Sequence, residues 1–214
     1  MTTDRRAARR KQILDAALEV FAEKGYLYAT VDDIVERVSV ARGTFYLYFG
    51  DKRAVFEALL DGFLERVGAC IEGIDLEHPS QDARAQLRAN VSRVIRLALS
   101  EPGIVRLALL EARGLDPEVD AKLRDFHDRL RLFLVESLAE GQRAGVVREG
   151  DRHVMASVSL GGFRELLIDA VTGALERTPE ELIDATMTFV EGWVLTPRAA
   201  KASRPVASRS RKKG

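Results

Sequence analysis

Residues 9–60 read RRKQILDAALEVFAEKGYLYATVDDIVERVSVARGTFYLYFGDKRAVFEALL. Ile13, Ala17, Val20 and Phe21 fall on one helical face, with Leu14 and Ala16 beside it, and predict a first helix from about Arg6 to Lys24. Gly25 supplies the left-handed residue that ends such a helix without a Cβ clash. Thr30 and Asp33 have the spacing of a capping box, and Ile34, Val35 and Val38 mark the buried face of a second helix of barely two turns. The short turn Ser39-Val40 leads into a third helix over about 41–48, and Asp51 is placed to cap a fourth from Lys52 to about Ile74. Short helices with the second and third joined by a tight turn make a helix-turn-helix pattern. Ile13, Ala17, Phe21, Val31, Ile34, Val38, Val40, Phe45 and Phe49 have the spacing to build its core.

Such a unit leaves its third helix proud of the surface, and the residues it shows there suit duplex DNA. Arg42 can donate two hydrogen bonds to a guanine edge, and Thr44 can meet a thymine methyl or a phosphate. Gly43 lets the backbone come close, and Tyr46 offers a hydroxyl to a phosphate. The amide end of the second helix at Thr30 is a natural phosphate site, as is the start of the fourth, where Lys52 adds charge. Arg9 and Arg10 sit on a basic arm able to track the backbone or enter the minor groove.

The charge distribution agrees. The 214 residues have no net charge, yet residues 1–53 carry ten basic and eight acidic side chains and residues 54–196 carry 16 and 25. Residues 197–214 carry seven basic side chains and no acidic one. A basic end on an acidic body presents one end to a polyanion and keeps the other away. With 46% apolar residues the chain can build a real core, and no apolar stretch has the length of a bilayer span or the layout of a secretory signal. A cytoplasmic protein without membrane association is expected. Cys70 is the sole cysteine, and His78, His127 and His153 lack metal-ligand spacing. No phosphate loop or dinucleotide fingerprint occurs, so neither a metal, a cofactor nor an enzyme activity is expected.

Beyond residue 60 the 3.6-residue period continues, with helices expected at about 81–99, 103–113, 117–143, 151–175 and 179–195. The fold class is therefore all-α. Three regions are expected: a helix-turn-helix DNA-binding domain over 1–52, a helical effector-binding and dimerisation domain over 53–196, and a basic disordered tail over 197–214.

The 9–60 stretch closely resembles the N-terminal signature of TetR-family regulators, in which an IL-x-AA-x-x-x-F-x-x-x-G-Y block precedes T-V-x-x-I and GTFY-x-YF-x-x-K. The resemblance implies that Thr30, Arg42, Thr44, Tyr46, Tyr48 and Lys52 occupy DNA-contact positions, with Ala41 opening the same surface. It also implies a homodimer, a palindromic operator in double-stranded DNA, repression, and a C-terminal pocket for a small-molecule effector. Where the family commonly has Gly-Val-Ser in the turn, this chain has Ser39-Val40-Ala41. Ser39 then stands where a left-handed glycine is usual, and Ala41 where a capping side chain is usual.

One helix-turn-helix reads only a few base pairs, and two copies must be held about 34–36 Å apart, or a multiple of that, to read more. The last two helices are the expected dimer interface, through Val158, Gly161, Gly162 and Glu165 on one and Leu182, Thr186, Phe189 and Trp193 on the other. The resemblance places the pocket among the middle helices, with Phe63, Val67, Leu97, Leu107 and Leu110 as candidate lining on one side. Phe126, Leu130, Phe133 and Phe163 are candidates on the other, and together they suit a hydrophobic effector. Two other readings fit the same fold: a DNA-binding protein without an effector, and a protein-interaction scaffold.

Overall fold

The computed structural model describes residues 2–76, 82–111, 114 and 117–197. Among these, nine α-helices are present: α1 (Thr2–Lys24), α2 (Val31–Val38), α3 (Arg42–Tyr46), α4 (Lys52–Ala69), α5 (Ala83–Ser100), α6 (Pro102–Arg106), α7 (Pro117–Arg143), α8 (Arg152–Thr172) and α9 (Pro179–Trp193). A π-helical turn, Leu107–Glu111, continues α6. Apart from Pro197, the expected tail lies outside the described residues.

Local chemistry explains most of the boundaries. The Asp51 carboxylate accepts from the Ala54 amide at 2.8 Å, and Asp151 accepts from His153 at 2.8 Å. Thr178 and Glu181 form a second capping box ahead of α9. Pro102, Pro117 and Pro179 open helices where their missing amide costs nothing.

The structure corrects four helix boundaries. α1 begins at Thr2 rather than near Arg6, and α3 is confined to Arg42–Tyr46. α4 stops at Ala69 rather than Ile74, because α5 captures the chain beyond it. The Cys70 carbonyl accepts from Arg93 Nε at 2.9 Å, and Asn90 Nδ2 donates to the Glu72 carbonyl at 2.7 Å. The helix expected over 103–113 gives way to the π turn after Arg106, and there Arg164 of α8 donates to the Leu109 carbonyl at 2.6 Å.

The main core does not stop at the expected boundary after residue 52. Ile13, Phe21, Ile34, Phe45 and Phe49 share one buried cluster with Val55, Phe56, Leu60 and Phe63 of α4. The cluster runs on through Ile104 and Val105 of α6, Leu107 and Ala108 of the π turn, and Val119 of α7. Val31, Val38 and Val40 are half-buried against it. Tyr26 joins Phe21 and Phe56 in an aromatic trio with centroids 4.6–6.2 Å apart. Exposed ion pairs span the same junction: Arg53–Glu118 at 2.7 Å, Lys122–Asp61 at 2.8 Å and Arg66–Glu101 at 2.5 Å. Each contributes about 0–1 kcal/mol, so the shared apolar core carries the junction.

α9 packs on α5 through Ile95, Leu182, Ile183 and Met187, flanked by the pairs Arg84–Glu191, Arg88–Asp184 and Arg96–Glu180. Past α9 the chain pairs with the α7–α8 turn, where Arg148 N donates to the Val194 carbonyl and Thr196 N to that of Val146, both at 2.9 Å. Gly141 lets that turn fold back on α7, since a Cβ there would clash with the Val147 side chain.

Candidate nucleic-acid interface

The reading surface is set by the turn between α2 and α3. Ser39 adopts φ 57° and ψ 50°, and its amide donates to the Glu36 carbonyl while that of Val40 donates to Val35. A side chain thus occupies the left-handed region, at a cost of roughly 1 kcal/mol relative to glycine. Ala41 then takes an extended conformation and makes no side-chain cap to α3. Phe45 is fully buried beneath α3 and fixes its rotation.

That rotation leaves Arg42, Gly43 and Tyr46 exposed, with open space around Gly43. Thr44 is half-buried and so presents less surface than Arg42. Arg42 Nη1 lies 3.1 Å from Asp32 Oδ1, its Nη2 is 3.5 Å from the Tyr46 hydroxyl, and its guanidinium stands 6.0 Å above the Tyr46 ring.

Thr30 lies beside this surface at the head of α2. Its hydroxyl accepts from the Asp33 amide at 3.2 Å, and Asp33 accepts from the Thr30 amide at 2.9 Å. Lys24 donates to Asp33 at 2.6 Å, and with the Thr30 bonds this holds the Asp33 carboxyl at about 2. The Thr30 hydroxyl keeps its own proton to donate.

Lys52 departs from the sequence expectation. Its ammonium donates to the carbonyls of Tyr26 at 2.7 Å, Ala29 at 2.8 Å and Leu27 at 3.4 Å, and lies 4.5 Å from the Tyr26 ring centroid. Burial pushes its pKa down. An ammonium has only three donors, so Lys52 as placed is a tie between α4 and the 26–29 turn rather than a free phosphate contact.

The basic arm is not a flexible strand but the first turns of α1. Arg5, Arg6, Ala8, Arg9 and Gln12 line an open groove of about 660 Å³ closed on the far side by Leu47 and Tyr48. Arg9 and Tyr48 therefore face one groove, whereas Arg10 turns away and covers the Phe49 ring at 5.1 Å. Sequence reading missed Arg5 and Arg6 as members of this set. Helical spacing from Arg9, at i−4 and i−3, was the signal that could have found them.

The expected pocket residues do not gather in one place. Phe63 and Leu107 are buried in the main core with Val67 against it, and Phe163 packs with the α5–α9 cluster. Leu97, Phe126 and Leu130 are half-buried, while Leu110 and Phe133 are 46% and 37% exposed. Of the expected interface residues, Val158, Gly161, Gly162, Glu165 and Phe189 are exposed, Trp193 and Thr186 are half-buried, and Phe189 stacks on Trp193 at 5.7 Å. Leu182 is a correction: at 2% exposure it belongs to the α5–α9 core and offers no surface to a partner. Among the described residues no helix is long and apolar enough to cross a membrane.

Two family models match. The one described as bacterial regulatory proteins, tetR family, covers residues 13–59, and the one described as tetracyclin repressor-like, C-terminal domain, covers residues 80–166. The fatty acid metabolism regulator protein of Bacillus subtilis (strain 168) is 31% identical over 140 residues, 65% of this chain and 71% of its own. The HTH-type transcriptional regulator UidR of Escherichia coli (strain K12) is 25% identical over 189 residues, 86% of this chain and 88% of its own. Among solved structures, the transcriptional regulator FadR from Bacillus subtilis in complex with stearoyl-CoA superposes with a TM-score of 0.65 at 26% identity, covering 84% of this chain and 96% of that one. The matches reach both the reading head and the helical body, and with the exposed α3 they assign the molecule: the chain belongs to the TetR family and is a DNA-binding transcriptional regulator.

Proposed function

We propose that the protein is an effector-released repressor that grips a palindromic operator as a homodimer. The observation that carries this reading is the pairing of the exposed α3 face, Arg42 and Tyr46, with the groove lined by Arg5, Arg6 and Arg9. One supplies base-edge donors and the other phosphate partners, and a specific DNA reader needs both. Thr30, Ala41, Gly43, Thr44 and Tyr48 complete the proposed contact surface, while Lys52 and Arg10 support it from behind.

Dimerisation is supported by the α8–α9 face, where Val154 and Phe189 are each 56% exposed and Val158 is 46% exposed. Around Gly161 and Gly162 nothing would meet an added Cβ within 4 Å. Exposed apolar side chains on these two helices call for cover, and a second copy provides it symmetrically.

For the effector, the likeness to a regulator whose solved structure holds stearoyl-CoA favours a long-chain acyl thioester. Phe126, Leu130 and Phe133 recur on one face of α7 and are only partly covered by the chain itself, which suits an apolar tail. Release would follow if the acyl thioester prefers a body conformation that sets the two reading heads at the wrong separation.

Selection of bound duplexes from a random pool tests the DNA reading. A palindrome is expected, Arg42→Ala should lose base preference in each half-site, and Tyr46→Phe should weaken all sequences alike. Recovery of no consensus would refute it. Stearoyl-CoA at one hundred times its Kd should raise stability by about 2.7 kcal/mol and release DNA, whereas coenzyme A alone should do neither. A regulator without an effector would show no melting shift with either.

A further inference from the structure

Asp32 is out of place on a surface built to meet a polyanion. It stands in the first turn of α2 with a side chain 66% exposed, on the face that would meet a polyanion. A carboxylate there repels phosphate whatever the sequence. Fold stability accounts for little of it: Asp33, not Asp32, closes the capping box, and neither an exposed first-turn carboxylate nor an exposed pair with Arg42 adds much.

Its geometry supplies the reason. Both Asp32 oxygens converge on a single nitrogen, Nη1 of Arg42, at 3.1 and 3.2 Å. The Nη2 edge is left toward the Tyr46 hydroxyl at a long 3.5 Å. The guanidinium is thus pinned across the exposed face between Asp32 and Tyr46, with donors to spare. Arg42 is the first residue of α3, and its long stem would otherwise sample many rotamers.

We infer that Asp32 is a specificity-determining residue: it holds the Arg42 guanidinium in its reading orientation and taxes binding wherever that guanidinium finds no guanine. On a correct site Arg42 donates its free edge to guanine O6 and N7. On a wrong site Asp32 keeps the guanidinium from swinging to a phosphate instead. The charge is therefore tolerated where it discriminates. This inference rests on the DNA-binding reading above.

The test compares two duplexes of equal length, the consensus recovered by the wild-type protein and a random sequence, at one salt concentration. Asp32→Asn should bind the random duplex more tightly and the consensus no better, lowering the ratio of the two affinities by about tenfold. Asp32→Glu should restore part of the ratio. In an Arg42→Ala background, Asp32→Asn should leave the ratio as it stands, since the pair acts as one unit. Melting temperatures should be unchanged, because both side chains are exposed. The inference is overturned if Asp32→Asn shifts both affinities by the same factor, or still lowers the ratio without Arg42. Failure of the underlying reading looks different: the wild-type protein itself would then show no preference between the duplexes, and the inference would fall with it.

Discussion

The Lys52 ammonium lies 2.7 Å from the Tyr26 carbonyl oxygen and 4.5 Å from the centroid of the same residue's ring. One cation thus engages both the backbone and the π face of Tyr26 and fastens the start of α4 to the turn before α2. Lys52→Met keeps most of the stem but leaves the Tyr26 and Ala29 carbonyls without this donor. A loss of about 1–3 kcal/mol in urea unfolding is expected. The salt dependence of DNA binding should not change, whereas loss of a true phosphate contact would lower the log–log slope by about 0.9.

Ser39→Gly should stabilise the protein by about 1 kcal/mol, because the φ of 57° costs glycine no Cβ clash. The gain should appear as a higher urea midpoint with an unchanged m-value.

The α1 groove makes a paired prediction. Alanine at Arg5, Arg6 or Arg9 should each reduce the salt slope of DNA binding by up to about 0.9. Arg10→Ala should leave that slope intact and instead cost about 0.5–1 kcal/mol of stability through its lost contact with Phe49.

Acid should expose the Asp33 cap. Its carboxyl is held at about 2, below the ordinary 3.8, chiefly by the Lys24 hydrogen bond and then by Thr30. A lowered folded-state pKa gives stability that is fully present above the ordinary value and lost as pH falls from about 4 toward 2. Glu23 and Glu181 are also held low, by Arg37 and Thr178, and titrate in the same direction. The difference between wild type and Asp33→Asn, followed by urea unfolding from pH 5 downward, isolates the Asp33 share and should shrink toward the acid end.

Phe189→Glu places a charge on the exposed α9 face where Phe189 stacks on Trp193. Sedimentation should report a single subunit, with helicity retained and operator affinity lost. An unchanged dimer would move the interface elsewhere.

Much of this architecture was legible in the sequence because its signals are short-range. The Thr30–Asp33 box spans three residues, and Pro117 with a sustained 3.6-residue period gave α7 its full extent. The left-handed Ser39 followed from the family's usual glycine at that position. What escaped depends on distant partners. The π turn is met by Arg164, 55 residues from Leu109, and Lys52 spends its donors on a turn 23–26 residues earlier. Leu182 and Phe189 share one helical period, but only the packing of α5 decides that Leu182 faces inward. The Arg42–Asp32 pair was likewise invisible, because either residue alone reads as an ordinary exposed charge.

The buried cluster that passes without a seam from Phe21 through Phe56 to Ile104 has a thermodynamic consequence. Severing the chain near residue 52 would strip Val55, Phe56 and Leu60 from the reading head, and an isolated N-terminal fragment should stay unfolded. In the intact protein the head and the adjoining body should melt in one cooperative transition, so a mutation deep in α6 should be felt as heat sensitivity by the part that touches DNA.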